Sequence, residues 1–151
     1  PSHKADFDQE ATAYIQKLKK LNTYVTEQIQ SIPKDRRVLV TAHDAFGYFG
    51  KAYNMDVVGL QGISTVSEYG LKDVERMVNL LSSRGIKAVF IESSIPKRSI
   101  EAVVQGAKKR NHTVNIGGEL FSDAMGPKNT REGTYIGMVT HNVDTIVKAL
   151  K

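Results

Sequence analysis

The chain has 151 residues, of which 40% are hydrophobic and 25% are charged, a composition typical of a single globular domain. Its net charge is +5, but the basic residues are scattered in pairs without interleaved aromatic residues, so no nucleic acid partner is expected. Cysteine is absent, which excludes disulfide bonds and thiolate metal sites, and no apolar run approaches the roughly 20 residues of a membrane-spanning helix.

A long helical pattern opens the chain and extends from Asp6 to about Ile32, with apolar residues three and four positions apart. Asp6 is predicted to be the N-cap, with Gln9 completing a capping box, and Pro33 ends the helix. At roughly 1.5 Å per residue this helix is about 40 Å long. It fits either a connector that reaches beyond the domain or an ordinary amphipathic helix packed on a sheet.

Four strand–helix units are predicted after this helix. Their alternation indicates an α/β fold with a four-stranded parallel sheet flanked by helices, preceded by the long helix. The predicted strands are Arg37–Ala42, Asp56–Leu60, Ala88–Ile91 and Thr113–Ile116. The predicted helices are Ala45–Tyr53, Leu71–Arg84, Lys97–Arg110 and Thr134–Leu150. Longer loops are predicted over Gln61–Gly70 and Gly117–Arg131.

Polar side chains follow these strands at the sheet edge where ligands bind in open α/β folds. His43 follows the first strand and Glu92 the third, while Gly117-Gly118-Glu119 and then Asp123 follow the fourth. One imidazole and up to three carboxylates therefore converge, a ligand set suited to Zn, Mn or Fe. A closed site takes about four ligands. Water or groups outside this chain would therefore complete the shell.

Each of these residues also has a structural interpretation. His43 fits a hydrogen-bonded turn residue, Glu92 can accept hydrogen bonds that stiffen the edge, and Asp123 fits a loop turn. Asp44 is interpreted as the N-cap of the helix that it opens. The other histidines are interpreted as solvated or structural: His3, His112 and His141.

Four segments of the chain, in their order and spacing, resemble one family. They are Thr41–Phe49 (TAHDAFGYF), Gly62–Glu68 (GISTVSE), Phe90–Pro96 (FIESSIP) and Gly117–Gly126 (GGELFSDAMG). Gly133–Tyr135 and Met138–Asn142 fit the same pattern. Over essentially its whole length, the chain resembles the C-terminal lobe of the TroA-like (cluster A-I) metal-binding receptors of bacterial ABC transporters.

The resemblance implies two α/β lobes joined by one long helix, with Zn²⁺ or Mn²⁺ held between them for delivery to an ABC permease. In this lobe the implied ligands are His43 and Asp123, and Glu92 supports them by hydrogen bonding without binding the metal itself. Residues 1–35 would be the C-terminal part of the interlobe helix and residues 36–151 the lobe. Because a histidine at this position serves zinc and also manganese, the resemblance leaves the metal open.

The family also has a signal peptide, often a lipid-anchored cysteine, and an N-terminal lobe with two more histidines, and none of these is found in this sequence. The chain also lacks an initiator methionine. We therefore expect a fragment or processed product, an isolated C-terminal lobe of a receptor in the periplasm or at the cell surface. It should bind metal weakly, self-associate through the apolar surface that the missing lobe would cover, and have no enzymatic activity.

Two other functions are compatible with polar residues at this sheet edge. A small flavodoxin- or receiver-like module would bind a phosphate or nucleotide at the same edge, but a receiver needs an acidic cluster where this chain has His43-Asp44. A metal-assisted hydrolase would use His43 and Asp123 with a bound water. It lacks a third protein ligand, and its general base would have to be Glu92.

Overall fold

The computed structural model of the chain describes residues 3–62 and 70–151. Within these ranges the predicted order of a long helix followed by strands alternating with helices is confirmed, and the structure adds a short 3₁₀ turn at Lys34–Arg36. The elements are α1 (Lys4–Gln30), β1 (Val38–His43), α2 (Gly47–Tyr53), β2 (Asp56–Gln61), α3 (Leu71–Ser83), β3 (Ala88–Glu92), α4 (Arg98–Lys109), β4 (Asn115–Leu120) and α5 (Tyr135–Leu150). Most of the predicted loop Gln61–Gly70, and of the motif Gly62–Glu68, lies outside the described residues.

The sheet is built from two parallel pairs. β1 pairs with β2, β3 pairs with β4, and β1 lies beside β3, which gives the spatial order β2-β1-β3-β4. In the described part of the chain, backbone ladders form within each pair but not across the boundary between β1 and β3. The expected parallel sheet is therefore present as two halves set side by side. The central strands are buried along their whole length, whereas β2 and β4 are partly exposed.

Helices cover both faces of the sheet. Along β1, Leu39 enters the apolar core beside α1 and α5, whereas Val40 enters the core beside α3 and α4. The same alternation along β3 sends Phe90 to the first core and Val89 to the second. Each such fully buried side chain contributes roughly 2 kcal/mol of hydrophobic free energy. These two cores fix the strands whose carboxyl ends carry His43 and Glu92.

The start of α1 differs from the prediction. The helix begins at Lys4, and its N-cap is His3 without a side-chain cap hydrogen bond, so the predicted capping role of Asp6 is wrong. Lysine and alanine at positions 4 and 5 favour helix and extend it upstream. Asp6 lies in the first turn, where its negative charge still interacts favourably with the helix dipole.

Only the C-terminal part of α1 packs on the rest of the chain. Residues 3–17 are exposed, and the exposed fraction of Phe7 is 72%. By contrast, Leu21, Val25 and Ile29 are buried. Hydrogen bonds fix the packed part: the hydroxyl of Tyr24 donates to Asp144 on α5, and that of Tyr53 on α2 donates to Asn22. The bond to Asp144, reinforced by burial and by that carboxylate's charge, raises the pKa of Tyr24 above its ordinary value.

The fourth strand is displaced toward the C-terminus relative to the prediction. Gly117, Gly118 and Glu119 do not follow the strand but lie inside β4. A Cβ at Gly117 would stand 2.7 Å from the Cβ of Ala149 and 2.8 Å from the Phe90 ring. Glycine is therefore required here because α5 and β3 approach the strand closely, not because the strand ends.

In the part of the chain that is described, no helix combines the length and the apolar character needed to cross a bilayer.

Candidate metal centre

His43 is the last residue of β1 rather than the first residue after it, and 3% of it is exposed. The ladder continues past it, since the Asp44 N–H donates to the Gln61 carbonyl oxygen over 3.1 Å. The hydroxyl of Thr41 donates to the carbonyl oxygen of His43 over 2.8 Å. The imidazole is therefore placed by a buried, well-bonded strand end.

Glu92, the last residue of β3, holds His43 across the boundary between the two halves of the sheet. Its Oε1 accepts a hydrogen bond from the backbone N–H of His43 over 2.9 Å, and its Oε2 lies 2.7 Å from the ring Nδ1. The ring contact is close but poorly aligned, and among the described residues neither atom has a better-aligned partner. One buried carboxylate thus contacts both the backbone and the ring of the histidine.

This arrangement determines which ring nitrogen of His43 is available. A carboxylate beside Nδ1 favours the proton on that nitrogen, which leaves the lone pair on Nε2. Metal-binding histidines commonly have a carboxylate in this position, because it fixes the tautomer and the orientation of the ring. The geometry therefore directs Nε2 outward from Glu92 as a potential ligand.

Asp123 lies in the loop after β4, and its Oδ1 is 3.5 Å from His43 Nε2, with 56% of the aspartate side chain exposed. That distance is too long for a strong hydrogen bond. Two donors each about 2.0–2.1 Å from a tetrahedral ion stand roughly 3.4 Å apart, so the pair already has a suitable spacing for a shared ion. An imidazole nitrogen and a carboxylate oxygen are also donors that divalent Zn and Mn accept.

The loop that carries Asp123 is held on the side of β3 by a serine. Ser94 Oγ donates to Asp123 Oδ2 over 2.8 Å and lies 3.0 Å from Ser122 Oγ. The backbone N–H of Ser93 donates to the Leu120 carbonyl oxygen over 3.0 Å, which continues the β3–β4 ladder into the loop.

The same loop is held on the side of α5 by Asn142, of which 6% is exposed. Its Oδ1 accepts from the Phe121 N–H over 2.9 Å, and its Nδ2 donates to the Phe121 carbonyl oxygen over 2.7 Å. These roles of Asn142 and Ser94 are not predicted from the sequence. The available signal for Asn142 was its position as a polar residue beside Val143 on the apolar side of α5.

The other candidate residues do not join this site. Glu119 lies within β4 with an exposed side chain, and Asp44 is exposed and does not cap α2, whose N-cap is Phe46. The predicted N-cap role of Asp44 is therefore wrong, because the helix starts three residues further on. Within residues 3–62 and 70–151, no group of three or more His, Asp or Glu side chains is arranged to hold an ion alone.

The remaining histidines have structural or exposed positions, as interpreted from the sequence. The Nε2 of His141 on α5 pairs with the carbonyl oxygen of Glu119 over 3.0 Å, and that of His112 pairs with the carbonyl oxygen of Ile86 over 2.7 Å. His3 precedes α1 and forms an exposed pair with Asp6.

Similar sequences cover the whole chain. It is 56% identical over 151 residues to the manganese-binding lipoprotein MntA of Bacillus subtilis (strain 168) and 55% identical over 150 residues to the zinc-binding protein TroA of Treponema pallidum (strain Nichols). The two alignments cover 100% and 99% of this chain, respectively, but only 49% of each relative. The metal ABC transporter substrate-binding lipoprotein SsaB of Streptococcus sanguinis is 27% identical over 150 residues, 99% of this chain and 47% of that relative.

The fold is shared with a solved structure. The periplasmic zinc-binding protein TroA from Treponema pallidum superposes with a TM-score of 0.97 at 55% identity, covering 99% of this chain and 54% of that chain. The chain thus spans about half the length of these relatives. The family model described as "Zinc-uptake complex component A periplasmic" matches residues 1–149, which confirms the resemblance read from the four motifs. The chain belongs to this zinc-uptake component A family.

Proposed function

We propose that this chain is the C-terminal lobe of a receptor that captures Zn²⁺ or Mn²⁺ and delivers it to an ABC permease. The observation that carries the proposal is the buried His43, whose Nε2 faces Asp123 Oδ1 at 3.5 Å while its Nδ1 faces Glu92. Relatives named for zinc binding and for manganese binding support both metals, and the named lipoproteins support a location in the periplasm or at the cell surface.

In this proposal His43 and Asp123 are two of about four metal ligands. Glu92 supports His43 and does not bind the metal, because one oxygen accepts the His43 N–H, the other contacts Nδ1, and the side chain is fully buried. The remaining ligands come from the part of the relatives' length that this chain does not span. Water fills the open positions in the chain alone.

The exposed part of α1 supports a second lobe as a partner. Phe7, Tyr14 and Ile15 are large apolar side chains with 72%, 45% and 48% exposure, on a helix that extends away from its packed end. We propose residues 1–35 as part of the interlobe helix and residues 36–151 as the metal-binding lobe. In the absence of the other lobe, this apolar stripe of α1 is the surface through which copies of the chain self-associate.

The site fits binding better than catalysis. A hydrolytic metal needs about three protein ligands and a base that can reach the attacking water. Here the described residues offer two ligands, and Glu92, the nearby carboxylate, is buried against His43. A phosphate-binding flavodoxin- or receiver-like module is not favoured either, because the matched relatives are metal-binding proteins. We therefore propose a metal-binding module without enzymatic activity.

The test is a calorimetric titration of Zn²⁺ and Mn²⁺ into the chain and into His43→Ala and Asp123→Ala. His3→Ala is the matched control, because it removes an imidazole that also lies 3.5 Å from an aspartate oxygen. We expect weak one-to-one binding that falls at least tenfold in both site variants and is unchanged in the control. Binding that survives His43→Ala, or falls equally in His3→Ala, would contradict the proposed site.

Sedimentation velocity on the same samples tests self-association. The mass should rise from 16.7 kDa toward twice that value as concentration increases, and Phe7→Ser should shift the rise to higher concentration. A mass that stays at the monomer value at every concentration would contradict this part of the proposal.

A further inference from the structure

We propose that Ser94 is a positioning residue that holds Asp123 ready for the metal, an inference that rests on the metal-binding function proposed above. Ser94 Oγ lies 2.8 Å from Asp123 Oδ2, while the other carboxylate oxygen, Oδ1, is the one that faces His43. The hydroxyl thus fixes one side of the carboxylate and directs the other side toward the imidazole.

The direction of the hydrogen bonds follows from the donor inventory. An ionised carboxylate can only accept hydrogen bonds, so the Ser94 hydroxyl donates its one hydrogen to Asp123. The contact of 3.0 Å between Ser94 Oγ and Ser122 Oγ must then have Ser122 as the donor. The result is an ordered chain from Ser122 to Ser94 to Asp123, in which Ser122 orients the hydroxyl that orients the ligand.

Asp123 has particular need of such a restraint. Its side chain is 56% exposed and lies in a loop, whereas His43 is 3% exposed at a strand end. An unrestrained exposed side chain samples several rotamers, and the cost of selecting one of them weakens binding. Ser94 supplies the restraint from a turn that is itself fixed, because the Ile95 N–H donates to the Glu92 carbonyl oxygen over 3.2 Å.

One short segment therefore supports both ligands. Glu92 contacts His43, and Ser94, two residues later, contacts Asp123. Since Glu92 ends β3 and the Ser93 N–H extends the β3–β4 ladder, the relative positions of the two supports are set by backbone bonding. The spacing between imidazole and carboxylate is thereby determined by the turn at residues 92–94 as much as by the ligands themselves.

The first test is metal titration of Ser94→Ala, Ser94→Thr and Ser93→Ala. Ser94→Ala should lower the affinity for Zn²⁺ and Mn²⁺ about tenfold, a loss typical of residues that orient metal ligands. Ser94→Thr keeps the hydroxyl and should restore most of the affinity. Ser93→Ala is the matched control, because Ser93 is an exposed serine in the same turn that bonds to Leu120 through its backbone N–H, and the variant should bind as the wild type does.

A purely structural role would predict different results. If Ser94 acts through Asp123, then Ser94→Ala should cause no further loss of metal affinity in an Asp123→Ala background. The unfolding temperature of metal-free Ser94→Ala should also match that of metal-free Ser93→Ala. Wild-type affinity in Ser94→Ala, or independent losses in the double variant, would overturn the proposal.

A metal-free crystal structure of Ser94→Ala separates this inference from the proposed function. Asp123 Oδ1 should move at least about 1 Å from its position beside His43, because its rotamer is no longer fixed. A carboxylate that stays in place would overturn the positioning role. If the wild type binds no metal while the carboxylate moves as expected, the proposed function fails and the positioning role stands.

Discussion

Two histidine–aspartate pairs in this chain have the same nitrogen–oxygen separation and different surroundings. His43 and Asp123 are 3.5 Å apart, and their side chains are 3% and 56% exposed. His3 and Asp6 are also 3.5 Å apart, but their side chains are 73% and 78% exposed. The first pair joins a strand end to a distant loop, and the second pair spans three positions at the start of α1.

A nitrogen–oxygen distance of 3.5 Å therefore does not by itself distinguish the two pairs. At the start of α1, water surrounds both side chains and both of them rotate, so the exposed pair contributes about 0–1 kcal/mol. At the sheet edge, Glu92 fixes the ring of His43 and Ser94 fixes the carboxylate of Asp123. The pair at the sheet edge therefore differs in the groups that hold it, and removing those groups should make it resemble the pair at the start of α1.

The largest effect is expected from Glu92→Ala. The variant leaves the backbone N–H and the ring of His43 buried without the carboxylate, which should lower the free energy of unfolding by about 4 kcal/mol. Urea denaturation followed by circular dichroism measures the loss. Glu119→Ala is the control, because Glu119 is an exposed glutamate on the adjacent strand and should cost less than about 0.5 kcal/mol. Equal losses of unfolding free energy in the two variants would mean that the buried carboxylate of Glu92 stabilises the chain no more than the exposed carboxylate of Glu119 does.

A smaller effect is expected from Asn142→Ala, which removes the side chain that holds the loop carrying Asp123. The Phe121 N–H and carbonyl oxygen both lose their partner, and the free energy of unfolding should fall by about 2 kcal/mol. Metal affinity should fall with it, because the loop that carries Asp123 is released. Thr140→Ala is the control, since among the described residues its hydroxyl donates to the Ile136 carbonyl oxygen within α5. A loss of stability without a loss of metal affinity would show that Asn142 supports the fold but not the site.

The smallest effect is expected from Tyr24→Phe, at an exposed hydrogen bond between side chains. At pH 7 the variant should lose less than about 1 kcal/mol of stability. The bond to Asp144 raises the pKa of Tyr24 in the folded chain, so the folded chain keeps the phenol proton to higher pH than the unfolded chain does. Wild-type stability should therefore decline as pH rises above the ordinary phenol pKa of about 10 and through the raised value.

Tyr24→Phe should lack that part of the decline, and the two stabilities should converge at alkaline pH. Tyr53 has its own raised pKa, caused by burial, and contributes equally to both proteins. Denaturation midpoints measured from about pH 8.5 to about pH 11.5, roughly 1.5 units on each side of the ordinary phenol pKa of about 10, test this. Parallel curves for wild type and variant would show that the hydrogen bond to Asp144 is not maintained in solution.

The strands and the convergence of three polar side chains could be predicted because they follow simple rules. Apolar runs identify β1 and β3, and the ends of parallel strands meet at one edge, which brings together His43, Glu92 and Asp123. The assignment of His43 and Asp123 as metal ligands stays a prediction. The resemblance to a family added roles to these positions that spacing alone left open.

Predictions from local sequence patterns were wrong where tertiary contacts determine the structure. Gly117 and Gly118 suggest a turn, yet they lie in a strand because Phe90 and α5 pack closely against them. Asp44 has the composition of a helix cap, but α2 starts after it. The supports of the site join positions 29 and 21 residues apart, and nothing in the sequence distinguishes Ser94 from its neighbour Ser93.

The boundary between β1 and β3 has a consequence for how this protein tolerates mutation. Main-chain ladders join strands whatever side chains they carry, so sheets usually survive substitutions at the join. Here, in the part of the chain that the structure describes, the His43 N–H donates to Glu92 Oε1 across a boundary without a backbone ladder, so this hydrogen bond depends on the identity of one amino acid. A change in a single codon can therefore affect both the cohesion of the sheet and the orientation of the histidine, and the two properties are inherited together.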